Sequence, residues 1–564
     1  MTKLERSRNE LAASPKTPVR TLLLTPLAAL LIGAAPPAPL PPPTSAAVES
    51  GNRIHGHIEF LADDLLEGRD TGSRGYAVAA AYVASQFRAL GLKPGGERGG
   101  WYQQVPLRTA TIADAEPQIV LVEGGRRVPL KFAVDAALRP SVVQRQRTFE
   151  TPLVFVGYGL DDARLGLADY RGLDVRGKTV VALSGTPDGL PTEIAAHLGS
   201  QKEEMAARQG AVGYIEVARD SKPPRNGGLE GFARRPTTDW VDAAGKAGST
   251  PPGLAFNLRL SRETAVRLFN GSPQSLAAIR RAAQKKNGRP AGFAMASRIA
   301  INAASKWQDF TSPEVIGILP GSDPILRDEY VVLMGHLDHL GFKRDAKPGD
   351  DAIHNGALDN AAGVATMLEA ARLFVESGKP PRRSVMFIAN TGEEKGLLGA
   401  DYFATHPTVP IGKIVGVVDL DMPLPLYDFT DVTAFGADNS TIARTVADAG
   451  RAMGISVSPD PMPEESIFTR SDHYRFVLRG VPAILLMTGH ANGGKAVWNH
   501  YLGSVYHTPK DDLSQPINWV AAARYVELNY RIARTLADDA RRPLWYRGDY
   551  FGDTYAPGQP RAEP

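Results

Sequence analysis

The run Tyr330-Val331-Val332-Leu333-Met334-Gly335-His336-Leu337-Asp338-His339 decides the fold. Its apolar residues stop at Gly335 and hand over to His336, Asp338 and His339. A second run, Ser384-Val385-Met386-Phe387-Ile388-Ala389, stops at Asn390-Thr391-Gly392 and hands over to Glu393-Glu394. Continuous apolar runs of this length suit strands of a parallel sheet covered on both faces. Between the two lies Leu358-Asp359-Asn360-Ala361-Ala362-Gly363, which opens a helix-like segment reaching residue 375. Open sheets of this kind hold their ligands just beyond the carboxyl ends of the strands. Three consecutive junctions therefore bring imidazole and carboxylate to one sheet edge, where a metal site would be built.

Working outward, the same rhythm continues on both sides. Strands are predicted at 315–319, 330–334, 384–389, 414–420 and 481–487, and helices at 360–375, 397–405, 440–453 and 518–538. This alternation predicts an α/β fold, a mixed, largely parallel sheet with helices on both faces. Residues 54–91 read as two helices joined by the turn Glu67-Gly68-Arg69-Asp70-Thr71-Gly72-Ser73. Between 116 and 295 the texture changes to short β runs (153–156, 179–183, 212–217), with one helix at 191–209 and a polar loop at 222–235. This region reads as an inserted β-rich domain, and its His197 as a surface histidine. The expected division is 1–47 signal and Pro/Ala-rich leader, 48–115 amino-terminal part of the main domain, and 116–295 insert. The rest of the main domain follows at 296–540, then a tail at 541–564 to which no structure is assigned.

The chain has 564 residues, room for two to four domains. Its formal charge of +3 is carried by the first 47 residues, where Lys3, Arg6, Arg8, Lys16 and Arg20 face Glu5 and Glu10. The remainder is neutral, so no basic surplus argues for nucleic acid. There is no cysteine, which excludes disulfides and thiolate metal ligands. Residues 1–21 are basic and polar, 22–35 are apolar, and 34–43 are mostly alanine and proline. That order is the pattern of a secretory signal. It predicts export to the periplasm or the extracellular space, cleavage between Ala35 and Ala47, and no stable membrane span after processing.

His336, Asp359, Glu394, Asp421 and His507 each fall at a strand end or in an adjacent loop. Two imidazoles and three carboxylates suit two divalent ions, each taking one of each, with the third carboxylate as a bridge. Oxygen and imidazole donors without sulfur favour zinc and admit manganese or cobalt. Two such ions roughly 3.5–4 Å apart clamp a water and polarise the carbonyl under attack. A general base must take that water's proton. In Glu393-Glu394, adjacent residues point differently, so one can bind metal while the other faces the water. Asp419 stands two residues before Asp421 and competes with it as a ligand. His490 and His500 read as residues of an entrance loop.

The segments Gly335-His336-Leu337-Asp338-His339-Leu340-Gly341, Leu358-Asp359-Asn360-Ala361-Ala362-Gly363, Gly392-Glu393-Glu394, Leu420-Asp421-Met422 and Tyr506-His507-Thr508 occur in one order. Together they resemble the co-catalytic zinc aminopeptidase family that includes bacterial leucyl aminopeptidases, glutamate carboxypeptidase and the transferrin receptor. The resemblance implies two zinc ions (Zn2+), with Mn2+ or Co2+ as substitutes. Asp359 is then the bridge, His336 and Asp421 hold one ion, and Glu394 and His507 hold the other. Glu393 is implied as the general base and Asp338 as the carboxylate that orients His336. His339 and His354 fall outside the family's ligand positions, and the Asp359-Asn360 peptide is expected to be cis. His473, in Arg470-Ser471-Asp472-His473, is implied either beside the substrate as a donor to the oxyanion or in a structural role. Residues 154–217 resemble a protease-associated domain.

The activity implied is that of an exported metallo-exopeptidase, an aminopeptidase acting on peptides with a free amino terminus. Carboxypeptidase or dipeptidase action, glutaminyl cyclisation and a non-catalytic binding role on the same fold are the alternatives. The complete ligand set favours the enzyme.

Overall fold

Four apolar strands lie side by side and parallel in the computed structural model of the chain, which describes residues 44–220 and 228–564. Their spatial order is Ser384–Asn390, Tyr330–His336, Ile414–Asp419 and Ala483–Thr488. Apart from the half-buried Tyr330, every residue in them is buried. Successive side chains alternate between the faces of a sheet, so burial at every position means that both faces are covered. The strand Phe293–Leu319 closes one side, running antiparallel to Ser384–Asn390 with Val315 opposite Ala389. Asp431–Phe435 pairs antiparallel with Ala483–Thr488 on the other. The sheet is thus mixed and largely parallel, as the apolar runs predict.

Helices Ser45–Leu61, Ala362–Glu376 and Trp519–Asp538 pack against one another and the sheet, and Leu398–Thr405 packs with His473–Val477. None of the described helices is long and apolar enough to cross a membrane. The first begins at Ser45, inside the stretch assigned to the leader, with the Thr44 side chain accepting from the Ala47 N–H. The signal itself lies outside the described residues, as does 221–227 from the polar loop; the loop's continuation folds as the helix Gly228–Arg234.

Residues between 119 and 303 build a second core around Phe155, Val181, Ile215 and Leu258. Its strands Gln146–Phe155, Thr179–Leu183, Gly213–Val217 and Phe256–Leu260 are parallel to one another. The helix expected at 191–209 is broken at Gln201 into Thr192–Ser200 and Lys202–Arg208. The long strand Phe293–Leu319 belongs to both sheets. Its residues up to Ala304 pair with Gln146–Phe155, and those from Ser305 on pair with Tyr102–Ile112. The expected boundary between 295 and 296 therefore lies inside one continuous strand.

Two expectations are corrected. His197 is 2% exposed rather than on the surface, because its Nδ1 meets the Tyr474 hydroxyl at 2.7 Å and four aromatic rings enclose it. The tail is ordered: Trp545–Tyr546 pairs with Arg561–Ala562, and the helix Tyr550–Tyr555 buries Tyr550 and Phe551. A few aromatic anchors fix it, with no apolar period to announce them.

Candidate metal centre

The strand ends deliver the residues to one place. His336 is the last residue of Tyr330–His336, Asp421 lies two past Ile414–Asp419, and Glu394 follows Ser384–Asn390. Asp359 precedes the helix Ala362–Glu376, and His507 sits in the loop after Gly494–Ser504. His336 Nε2 is 3.2 Å from Asp359 Oδ1 and 3.2 Å from Asp421 Oδ1. His507 Nε2 is 3.2 Å from Asp359 Oδ2 and 3.3 Å from Glu394 Oε2. The two oxygens of Asp359 thus face two different imidazoles. His339, set aside in the sequence, also arrives: its Nδ1 is 2.7 Å from Glu394 Oε1 and 4.0 Å from Asp359 Oδ2. The donor atoms form two clusters, His336 with Asp359 and Asp421, and His339 with Asp359 and Glu394.

Backbone groups hold these side chains in place. The Asp359-Asn360 peptide is cis, as expected. The N–H groups of Leu358 and Asp359 donate to Asp511 Oδ1 and Oδ2 at 2.9 and 3.0 Å. Asn360 Nδ2 donates to the Leu420 carbonyl at 2.9 Å, while its Oδ1 accepts from Gly363 N and Met422 N. One amide therefore ties the Asp359 loop to the Asp421 loop. The buried Arg69 guanidinium donates to the carbonyls of Leu337, Asn355 and Gly356 at 2.9, 2.6 and 3.0 Å. Asp511 and Arg69 were not singled out in the sequence; apart from the Tyr501 hydroxyl at Asp511, their hydrogen-bond partners are main-chain groups, which leave no mark on residue type.

Asp338 acts differently from the sequence reading. The imidazole of His336 meets the Asp338 carbonyl, with Nδ1 to O at 3.1 Å, and not its carboxylate. The carboxylate accepts from Thr71 Oγ1 at 2.8 Å and from the Glu393 N–H at 3.2 Å. Asp419 accepts from the His473 N–H at 3.0 Å, while the Ser471 hydroxyl is 2.7 Å from both Asp419 and Asp421. His473 is fully buried, its Nδ1 3.4 Å from Asp419 and its ring against Phe468. His354 packs its ring 6.2 Å from that of His339, and His500 bonds to Ser504 on an exposed helix.

Burial and charge divide the titratable groups. Burial pushes the Glu393 carboxyl well above the usual carboxylate range, and neighbouring carboxylates add to it. Burial works to lower His336, yet Asp421 and Glu393 hold it well above its ordinary value. Burial also opposes the charge on His507, but Glu394 and Asp359 raise its pKa to about 10. The buried carboxylates create a site that favours positive charge. Both ring nitrogens of His339 and Glu394 Oε1 are buried without a hydrogen-bond partner. A donor set of imidazole and carboxylate with orphaned inward-facing atoms fits a bound divalent metal. Beside Glu393, a pocket is walled by Met422, Ile467, Met487, Trp498 and Leu502, with Arg470 also lining it.

Known proteins resemble the chain in sequence and in fold. Residues 314–533 match Peptidase family M28. A probable zinc metalloprotease of Pyrenophora teres f. teres is 39% identical over 110 residues, 19% of this chain and 22% of that protein. A probable leucine aminopeptidase 2 of Aspergillus oryzae is 27% identical over 192 residues, 33% of this chain and 35% of that protein. These matches span a minor part of either relative's length. The solved aminopeptidase from Aneurinibacillus sp. strain AM-1 shares the fold with a TM-score of 0.50 at 20% identity, covering 89% of this chain and 97% of its own.

Proposed function

We propose that the chain, whose residues 314–533 match Peptidase family M28, is an exported, zinc-dependent aminopeptidase with two metal ions. The observation that carries the reading is Asp359, whose two oxygens each lie 3.2 Å from a different imidazole. His336, Asp359 and Asp421 would hold one ion, and Asp359, Glu394 and His507 the other. Divalent ions held there would supply Lewis acidity toward the scissile carbonyl and toward a water molecule.

The protein's own residues do the rest. Glu393, pushed up by burial, is suited to take a proton from that water and pass it to the leaving amine. Its position is fixed by its N–H, which donates to Asp338. The carboxylates give a free substrate amine acceptors beside the site, and the apolar pocket suits an apolar first side chain. Residues 116–295 would be a protease-associated insert, and residues 1–47 a signal for export.

The test is hydrolysis of a peptide or arylamide series by the purified, zinc-loaded chain. Rapid cleavage of substrates with a free first residue is expected, with losses of several orders of magnitude on acetylation of the amine. Carboxy-terminal amidation should have little effect. Tolerance of acetylation with strict need for a free carboxylate would move the assignment to a carboxypeptidase. Absence of any hydrolysis would leave a binding role.

A further inference from the structure

We propose that His339 is a further metal ligand, its Nδ1 joining Asp359, Glu394 and His507 to make a position of two imidazoles and two carboxylates. The inference rests on the two-metal reading above and adds to it a residue outside the five-ligand set. A buried histidine ordinarily hydrogen-bonds through at least one ring nitrogen. His339 is 0% exposed, yet neither of its ring nitrogens has a hydrogen-bond partner. Nδ1 and Glu394 Oε1 approach to 2.7 Å without hydrogen-bond geometry, and Oε1 too is unpartnered. Atoms that share an ion aim at the ion rather than at each other.

His339 Nδ1 lies with Asp359 and Glu394 in one group of donor atoms close enough to share an ion. Zinc binds imidazole nitrogen and carboxylate oxygen at about 2.0–2.2 Å, so two donors of a tetrahedral ion lie about 3.3–3.6 Å apart. His507 stands 3.2 and 3.3 Å from Asp359 and Glu394, near that value, whereas His339 stands 2.7 Å from Glu394 and 4.0 Å from Asp359. The two rings are 5.8 Å apart and edge-on. Glu394 divides its oxygens between them, Oε1 toward His339 and Oε2 toward His507.

The fold also holds the His339 ring in place. The backbone N–H of His339 donates to the Arg69 carbonyl at 3.1 Å. Gly356, at φ +62°, leaves the ring room, since a Cβ there would stand 2.7 Å from His339 Cγ. By contrast, the His507 side chain is 34% exposed, and its residue has φ +56°. His339 thus supplies the rigid, buried half of this position, and His507 the exposed half.

Replacement of zinc by Co2+ in the wild-type chain tests this without relying on a variant. Three strongly shifted, exchangeable imidazole N–H resonances are expected in the proton spectrum, from His336, His339 and His507. His339→Asn is expected to remove one of them, to alter the visible Co2+ absorption, and to lower zinc retained after chelator dialysis from two ions toward one. Two such resonances in the wild type, with cobalt absorption and zinc retention unchanged in His339→Asn, would overturn the inference while leaving the two-metal reading standing. A wild-type chain that binds neither zinc nor cobalt would overturn both.

Discussion

Glu393 and Glu394 are neighbours in the chain whose surroundings drive them apart. Burial pushes Glu393 well up, so its carboxyl favours the proton. Burial acts on Glu394 too, but the charge of His507 outweighs it and holds that carboxylate below its usual range. Paired carboxyls with such divided environments are suited to divided roles. Glu393→Gln is expected to keep fold and zinc content while kcat falls about 10²–10⁴-fold. Glu394→Gln is expected to lose metal first, seen as reduced zinc after dialysis. Near-normal turnover in Glu393→Gln would exchange the two roles. Residues of this kind were legible in the sequence because their chemistry is unusual at a strand end. Asp338, Asp511 and Arg69 were less so, because their work is done largely on main-chain groups: a carbonyl at His336, two N–H groups at Leu358 and Asp359, four carbonyls around the Arg69 guanidinium.

Elements with one strong period were read nearly to the residue. The helix expected at 518–538 is Trp519–Asp538, and the strand expected at 384–389 is Ser384–Asn390. The strand is buried throughout and the helix keeps one buried face along its length, so each apolar pattern is complete. The strand Phe293–Leu319 escaped recognition beyond its last residues, because it passes from one core to another and its burial pattern changes along the way. His339 was set aside because it falls outside the family's ligand positions, and the turn at Gly356 that leaves its ring room is remote in sequence. The start of the helix Ala362–Glu376 offers a test at this scale. A Cβ on Gly363 would sit 2.0 Å from the Leu420 carbonyl and 2.2 Å from Asn360 Oδ1, the atoms that join the Asp359 and Asp421 loops. Gly363→Ala is expected to cost roughly 1–3 kcal/mol by overpacking and to loosen metal retention as well. Urea midpoints and zinc content measured together would check this; wild-type values of both would show that the loops shift freely.

At the scale of the whole molecule, two cores meet through the helix Thr192–Ser200, whose Glu193 and His197 cross between them. Glu193 accepts from the Gly436 N–H and from Asn439, while His197 meets Tyr474, one residue beyond His473. Burial pushes these two groups in opposite directions, His197 down to about 4 and Glu193 up to about 7. An unfolded histidine titrates near 6.5. Below that value the unfolded chain binds a proton that folded His197 refuses, so its contribution is whole above about 6.5 and is lost as pH falls toward 4. The shift from 6.5 to about 4 corresponds to about 3 kcal/mol. Folded Glu193 instead keeps a proton that the unfolded chain releases, so its contribution is whole below about 4.5 and is lost as pH rises through 7. His197→Gln, which cannot titrate, should therefore lose most relative to wild type at pH 7 and least at pH 4. Glu193→Gln should show the reverse slope. Urea unfolding of the three proteins between pH 4 and 7 distinguishes this from a general acid effect, which would tilt both variants the same way. Parallel curves for wild type and His197→Gln would mean that His197 titrates in the fold as it does in the unfolded chain.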